Sequence, residues 1–161
     1  MIREKPKPGQ ESVWDYPRPP RLEPSSKTVR VTFAGQLIAH SAKAYRVLET
    51  SHPPTWYIPN SDVQMELLEA TRKSSICEWK GAATYWTLRI ANQIAQNCAW
   101  SYESPNASFA PIKGYLAFYP SVLQCFVDDE EVKAQPGDFY GGWITSDLVG
   151  PFKGAPGTWG W

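Results

Sequence analysis

The stretch ICEWKGAATYW, residues 76–86, places a thiol, a carboxylate, an ammonium group and three large aromatic rings within one short segment. The segment predicts two strands, ICEWK and ATYWTLRIA, joined at Gly81, and the first directs Cys77 and Trp79 to one side and Lys80 to the other. On a crease between two sheets, Gly81 would let a ligand approach the backbone and Lys80 would reach an anionic group. The alternative is a strand with a buried apolar face and a solvated charged face.

A second stretch, RVLETSHPP at residues 46–54, carries Arg46, Glu49 and His52 at intervals of three. His52 is held rigidly before two prolines, and an ordinary pKa near 6.5 suits either a catalytic base or a structural hydrogen bond. Arg46 and Glu49 can anchor a polar ligand, or they can form a surface ion pair worth less than about 1 kcal/mol.

Together the two stretches raise the question of a thiol enzyme, with Cys77 as nucleophile, His52 as base and Glu49 as the group that orients the base. No predicted helix N-terminus precedes Cys77 to lower the pKa of its thiol, so the catalytic residues stay unassigned. There is no CxxC pair, and the only histidines are His40 and His52. We therefore predict no metal site and no cofactor.

The aromatic content is the most unusual feature, with eight Trp, eight Tyr and six Phe. Large rings beside glycine or proline recur in four segments, which favours a rigid-walled cavity in which each ring contributes about 0.5–2 kcal/mol to binding. Ordinary aromatic packing between sheets is the alternative. The predicted walls are Trp79, Trp86, Tyr57 and Trp143, and the predicted polar anchors are Lys80, Glu49, Arg46 and His52.

The elements that must position these residues are mainly short strands. In TVRVTF, Val29, Val31 and Phe33 alternate with polar residues, and the AGQ turn leads into a second strand. The segment VDDEEV predicts a hairpin. The segment IAQNCAWSY predicts a strand with Ile94, Gln96, Cys98 and Trp100 on one face. The segment NSDVQMELL, residues 60–68, predicts one short helix with Ser61 as its N-cap.

Residues 1–27 contain six prolines and predict an extended arm, followed by a single β domain at residues 28–161. Trp14 and Tyr16 lie in this arm, so we expect it to dock on its own domain or to join two copies as a homodimer.

Composition excludes several classes of function. Sixteen basic and sixteen acidic residues cancel, so no overall field favours nucleic acid. The apolar runs are far shorter than the roughly 20 residues that span a bilayer, and the N-terminus lacks a signal-peptide pattern. Three cysteines at irregular spacing do not suggest a disulfide framework. We therefore expect a cytoplasmic protein that contacts neither membrane nor nucleic acid.

Five segments resemble the DUF427 family of bacterial proteins and occur in the same order. They are RVLETSHPPTWYIP, CEWKGAATYW, AWSY, IKGYLAFYP and FYGGWITSDLVGPFKGAPGTWGW. The resemblance covers nearly the whole chain from Ser12 onward. It implies a β-tent or Mss4-like fold, an all-β half-open barrel of two antiparallel sheets that meet at an angle. Relatives of that architecture often hold a four-cysteine zinc, which this chain cannot, and some bind ligands in an aromatic cage.

The family is sometimes labelled as nucleotidyltransferase. That chemistry requires a Gly-Gly or Gly-Ser turn, followed about ten residues later by two acids that hold Mg²⁺. Here Gly141-Gly142 is followed by PFKGA at that distance, so the motif is absent. The sequence therefore predicts a binder of an unidentified small molecule. The alternatives are an enzyme that acts on a small polar metabolite in the same cleft and a protein-interaction module that uses the arm.

Overall fold

The computed structural model describes residues 1–137 and 139–161, which are built almost entirely from short strands. In chain order the strands are β1 (Glu11–Ser12), β2 (Arg21–Pro24), β3 (Val29–Phe33), β4 (Gln36–Ser41), β5 (Tyr45–Leu48), β6 (Thr55–Tyr57), β7 (Leu68–Cys77), β8 (Gly81–Ile90), β9 (Gln93–Ser101), β10 (Leu116–Phe118), β11 (Gln124–Val127), β12 (Glu130–Glu131), β13 (Lys133–Ala134), β14 (Trp143–Ile144) and β15 (Leu148–Val149). Short 3-10 helices lie at Val13–Asp15, Asn60–Asp62, Met65–Leu67 and Ala107–Ile112.

Two four-stranded antiparallel sheets form the body of the domain, in the orders β10-β9-β8-β7 and β12-β11-β3-β4. A three-stranded antiparallel sheet has the order β2-β5-β6, and the pairs β1-β15 and β13-β14 complete the architecture. The predicted all-β class with several antiparallel sheets is confirmed. The more specific β-tent arrangement stays a prediction.

The sheet of β7–β10 separates two buried clusters, because adjacent side chains of a strand point to opposite faces. Leu88 of β8 lies in the main core, which also holds Val29 and Val31 of β3. Tyr85 of the same strand lies in a second cluster, called here the aromatic cluster. The buried rings of the aromatic cluster are Tyr57, Tyr85, Trp100, Tyr102 and Phe109.

The two predicted hairpins are confirmed. Ala34 and Gly35 connect β3 to β4 with φ of 53° and 75°, and Asp128 and Asp129 connect β11 to β12 with φ of 46° and 68°. Two successive residues of positive φ give the turn whose twist matches that of the flanking strands. Buried Val31 of β3 agrees with the predicted period of two.

The predicted helix at residues 60–68 is wrong. Two short 3-10 helices occupy the segment, and β7 begins at Leu68. Val63 pairs with Ala39 in an isolated β-bridge, and the Gln64 N–H donates to the Ile38 carbonyl at 2.9 Å. These backbone bonds to the neighbouring strand outweigh the weak local preference for a helix.

The predicted common face of β9 is also wrong. Asn97 has φ of 50°, and the pairing of β9 with β8 shifts register in this region. Ile94 and Gln96 are consequently exposed, whereas Cys98 lies in the main core and Trp100 in the aromatic cluster. An irregularity of one residue reverses which face each following side chain occupies.

The Pro-rich arm lies along its own domain. Glu11 and Ser12 form β1, a parallel pair with β15, and β2 joins the three-stranded sheet. Val13 and Tyr16 pack with Leu48 in a small buried cluster. A homodimer formed through the arm stays a prediction. None of the described helices has the length and apolar character needed to cross a membrane.

Candidate functional site

A cavity of about 330 Å³ opens beside the aromatic cluster. One wall is the face of β8 and β9 that carries Tyr85 and Trp100, and the turn at residues 78–80 forms part of the rim. The opposite wall comes from the loop between β5 and β6 and from segments late in the chain. Its lining residues there are Glu49, His52, Pro53, Gln135, Phe139, Tyr140, Gly141 and Lys153.

Hydrogen bonds fix the orientation of several wall rings. The Trp100 indole N–H donates to the Tyr57 hydroxyl at 3.2 Å, and the Tyr85 and Ser75 hydroxyls lie 2.8 Å apart. The Trp100 and Tyr119 rings lie 4.6 Å apart between centroids. Burial raises the pKa of Tyr57 above its ordinary value, so this phenol stays neutral. The wall is therefore preformed.

Gln135 connects three segments on the opposite wall and is only 3% exposed. Its Oε1 accepts from the Gly142 N–H at 3.1 Å, which fixes the orientation of the amide. Its Nε2 donates to the Lys153 carbonyl at 2.8 Å and lies 3.1 Å from Nδ1 of His52. Because an amide nitrogen has no acceptor to offer, Nδ1 of His52 must be the acceptor and Nε2 carries the proton.

His52 is held as a neutral imidazole. Its side chain is 11% exposed, and burial lowers its pKa to about 3, with the positive charges of Lys153, Arg18 and Lys80 acting in the same direction. Glu49 Oε2 lies 3.6 Å from Nε2 and favours the imidazolium. That carboxylate also faces Arg18 Nε at 3.3 Å, so it does not offset burial and three cations.

Asn106 holds the turn at residues 78–80 in place through two hydrogen bonds. The Asn106 side-chain amide donates to the Trp79 carbonyl at 2.9 Å, and its backbone N–H donates to the Lys80 carbonyl at 3.0 Å. Gly81 follows with φ of 108°, a backbone conformation that other residues adopt only under strain. The predicted junction of two strands at Gly81 is confirmed, but the first strand ends at Cys77 rather than continuing through Lys80. The turn places both Trp79 and Lys80 on the cavity, where an alternating strand would separate them.

Five of the eight predicted ligand-binding residues line this one cavity, although they come from three separate segments. They are Glu49, His52, Tyr57, Trp79 and Lys80. Their proposed contact with a ligand stays a prediction.

The structure places the other three elsewhere. Trp86 follows Tyr85 on β8 and therefore points to the opposite face, where its indole N–H donates to the Ser101 hydroxyl at 2.9 Å. Trp143 is fully buried in the main core and donates to the Phe118 carbonyl at 3.0 Å. Both rings serve the packing of the sheets.

Arg46 lies on the outward face of β5, opposite to Val47, which lines the cavity. Its guanidinium donates to Glu11 at 2.6 Å and to Glu23 at 2.9 Å through Nε. Glu11 belongs to β1 and Glu23 to β2, so Arg46 attaches the arm to the domain.

Sequence reasoning missed several lining residues. Gln135 is the most important, and its only sequence signal is a polar residue beside a Pro-Gly turn. Gly141 and Gly142 permit close packing: an added Cβ would lie 2.2 Å from the Trp100 ring at Gly141 and 2.5 Å from Gln135 Oε1 at Gly142. The glycine pair that resembles part of a nucleotidyltransferase motif therefore has a structural explanation. Lys153 also lines the cavity, and its position in GPFKGAP, where the sequence predicts no core, is a sequence signal for function.

The described residues contain no group of three or more His, Cys, Asp or Glu side chains that could hold a metal ion. Cys77, which lines the cavity, is a free and partly buried thiol. The polar groups of the cavity can therefore donate hydrogen bonds and offer positive charge, but in the described part of the chain they do not form a metal centre.

Comparison with known proteins identifies the family. The model of the domain of unknown function DUF427 matches residues 21–133, and the chain belongs to this family. No curated protein matches the chain. The matched range contains Glu49, His52 and the turn at residues 78–80, whereas Gln135 and Lys153 lie beyond it.

Proposed function

We propose that this DUF427 protein binds a small molecule in the aromatic cavity. The observation that carries the proposal is a half-open cavity of about 330 Å³ whose rings and polar groups come from distant parts of the chain. Ligand sites are typically concave spaces of about 300–1,000 Å³, with aromatic walls and a few fixed polar groups. Rings that served only the packing between sheets would be close-packed against one another rather than line an open cavity.

The fixed geometry of the wall favours binding. Trp100 and Tyr57 are hydrogen-bonded to one another, and Gln135 holds His52 in one orientation. Groups that are already ordered lose little conformational entropy when a ligand arrives. At about 30 Å³ per water molecule, the cavity corresponds to roughly eleven waters, which suits a molecule with one or two rings.

A thermal-shift panel of aromatic metabolites, nucleotides and amines tests the proposal. A ligand present at about 100 times its Kd adds about 2.7 kcal/mol and raises Tm by roughly 5–10 °C for a domain of this size. Trp79→Ala removes a lining ring and should abolish the shift. Trp159→Ala is the matched control, because Trp159 is exposed and does not line the cavity.

The proposal fails if no compound raises Tm, or if the shift survives Trp79→Ala and is instead lost in Trp159→Ala. If a compound does raise Tm, isothermal titration with that compound measures the stoichiometry of binding. A value of one site per chain, lost in Trp79→Ala, is the expected result.

The geometry does not favour a thiol enzyme in which His52 activates Cys77. The Nδ1 lone pair already accepts from Gln135, and Nε2 carries a proton, so neither nitrogen is free to accept one. A binder should tolerate Cys77→Ser with unchanged Kd. Loss of turnover in that variant, together with alkylation of Cys77 in the native protein, would support the enzyme instead.

A further inference from the structure

Lys80 is the most unusual charged group of the cavity, because its side chain is largely buried and its position is fixed. The residue is 9% exposed. Asn106 holds the backbone of the turn at residues 78–80 from both its side chain and its main chain. The hydrogen-bonded turn therefore fixes the position of the Lys80 ammonium at the cavity wall.

The described residues around this ammonium offer it aromatic rings rather than a carboxylate. Its nitrogen lies 5.7 Å from the ring centroids of both Tyr102 and Phe109, close to the outer limit of about 6 Å for a cation–π contact. Within residues 1–137 and 139–161, no carboxylate lies within 4.0 Å of it. A buried cation without an anionic partner is costly to the folded protein.

A second ammonium lines the same cavity. Lys153 lies 5.6 Å from the Tyr140 ring centroid, and its nitrogen donates to the main-chain oxygen of Trp161 at 3.4 Å. No Asp or Glu side chain in the described part of the chain lies within 4.0 Å of it. Both lysines lower the pKa of His52, so their positive charge acts inside the cavity.

Neither nearby acid cancels this charge. Glu49 is paired with Arg18 at 3.3 Å, and Glu78 is exposed at the rim. His52 is neutral and presents an N–H at Nε2. The described wall thus offers two ammonium groups between aromatic rings, an arrangement complementary to a negative charge attached to a planar body.

We propose that the ligand of the cavity is a small aromatic molecule that carries a carboxylate or phosphate group, and that this oxyanion pairs with the Lys80 ammonium. The inference rests on the proposed small-molecule function and specifies its ligand class. The aromatic body lies among Tyr57, Tyr85 and Trp100, and Lys153 provides the second positive charge. Carboxylate and phosphate share the chemistry that the ammonium recognises.

The test uses matched probes that differ only in charge. For an indole and a phenol ring, the acetate, the neutral acetamide and the ethylamine derivative are titrated into the intact protein by calorimetry at low salt. Phenyl phosphate and free inorganic phosphate distinguish an aromatic phosphate from the oxyanion alone. Carboxylate or aryl phosphate probes should bind at one site per chain, and the amide and amine should bind at least about 30-fold more weakly.

Variants of Lys80 complete the experiment. Lys80→Met should weaken the anionic probes by at least about 30-fold, equivalent to about 2 kcal/mol, and should leave the amide unchanged. Lys80→Arg should restore part of the affinity, which a purely structural role would not produce. Lys43→Met is the matched control, because Lys43 is exposed and lines no part of the cavity. The melting temperature of each variant without ligand reports whether it folds.

The outcomes separate the two proposals. Binding of amide, amine and acetate with equal affinity, lost in Trp79→Ala but unchanged in Lys80→Met, overturns the anionic ligand and leaves the binding function intact. Absence of binding by any probe, whatever its charge, contradicts both. If Lys80→Met fails to fold, Lys80→Gln and the wild-type preference for the acetate over the acetamide replace it, and equal affinity for these two probes overturns the ion pair.

Discussion

His52 should make the stability of the fold depend on pH in the mildly acidic range. Its pKa is about 3 in the folded protein, against about 6.5 in the unfolded chain. The unfolded state therefore binds a proton that the folded state does not. The stabilising contribution is complete above about pH 6.5 and is lost progressively as the pH falls toward the folded-state pKa of about 3.

The magnitude follows from this linkage. At pH 5 the unfolded histidine is almost fully protonated and the folded one almost fully neutral. The difference is about 1.5 pH units at about 1.4 kcal/mol each, or about 2 kcal/mol of lost stability relative to pH 8. The chain has two histidines, of which His52 is largely buried and His40 is exposed. A large difference is therefore assignable to His52.

Urea unfolding at pH 8 and pH 5, followed by tryptophan fluorescence, measures the effect. His52→Asn removes the titrating group, and its side-chain oxygen can still accept from Gln135 in place of Nδ1. This variant should lose about 2 kcal/mol less between the two pH values than the wild type, whereas His40→Asn should match the wild type.

The tautomer can be tested directly by nitrogen NMR of the two histidines. His52 should remain neutral, with its proton on Nε2, down to pH 5. Gln135→Glu replaces the donor to Nδ1 by a carboxylate and should raise the pKa of His52. An NMR pKa near 6.5 in the wild type, or an equal pH dependence in wild type and His52→Asn, would refute the reasoning.

Two further substitutions test the cavity wall. Trp100→Phe should lower stability by about 1–3 kcal/mol in urea unfolding, because it leaves the buried Tyr57 hydroxyl without its donor; an unchanged stability would contradict that hydrogen bond. Gly141→Ala should lower stability by about 1–3 kcal/mol and weaken binding, since its methyl would collide with the Trp100 ring. Gly160→Ala, with open space around it, is the control and should be neutral.

The sequence predicts local features of this fold well. The alternation in β3 and the two hairpins depend on residues that are neighbours along the chain. The segment at residues 60–68 fails for the opposite reason, because Val63 bonds to Ala39 of another strand. Asn97 likewise shifts the register of β9, because it adopts a positive φ. The local sequence does not predict this backbone conformation.

In the candidate site, too, local features can be predicted from the sequence and long-range contacts cannot. Trp79, Lys80 and His52 can be selected from sequence, because aromatic and charged residues beside glycine or proline are recognisable. Trp86 and Trp143 look equivalent, and only the face of the sheet distinguishes them. The bond between Gln135 and His52 joins residues 83 positions apart, and no local pattern predicts it.

Arg46 and Lys80 are two cations of low exposure whose surroundings differ. Arg46 is surrounded by the carboxylates of Glu11 and Glu23, and its charge is matched within the protein. Lys80 has comparable burial but no carboxylate within 4.0 Å in the described part of the chain. A charge that serves only structure is expected to have its partner in the structure, as Arg46 does. Because local rules are broken mainly where function requires it, the missing partner of Lys80 is best explained as part of a ligand.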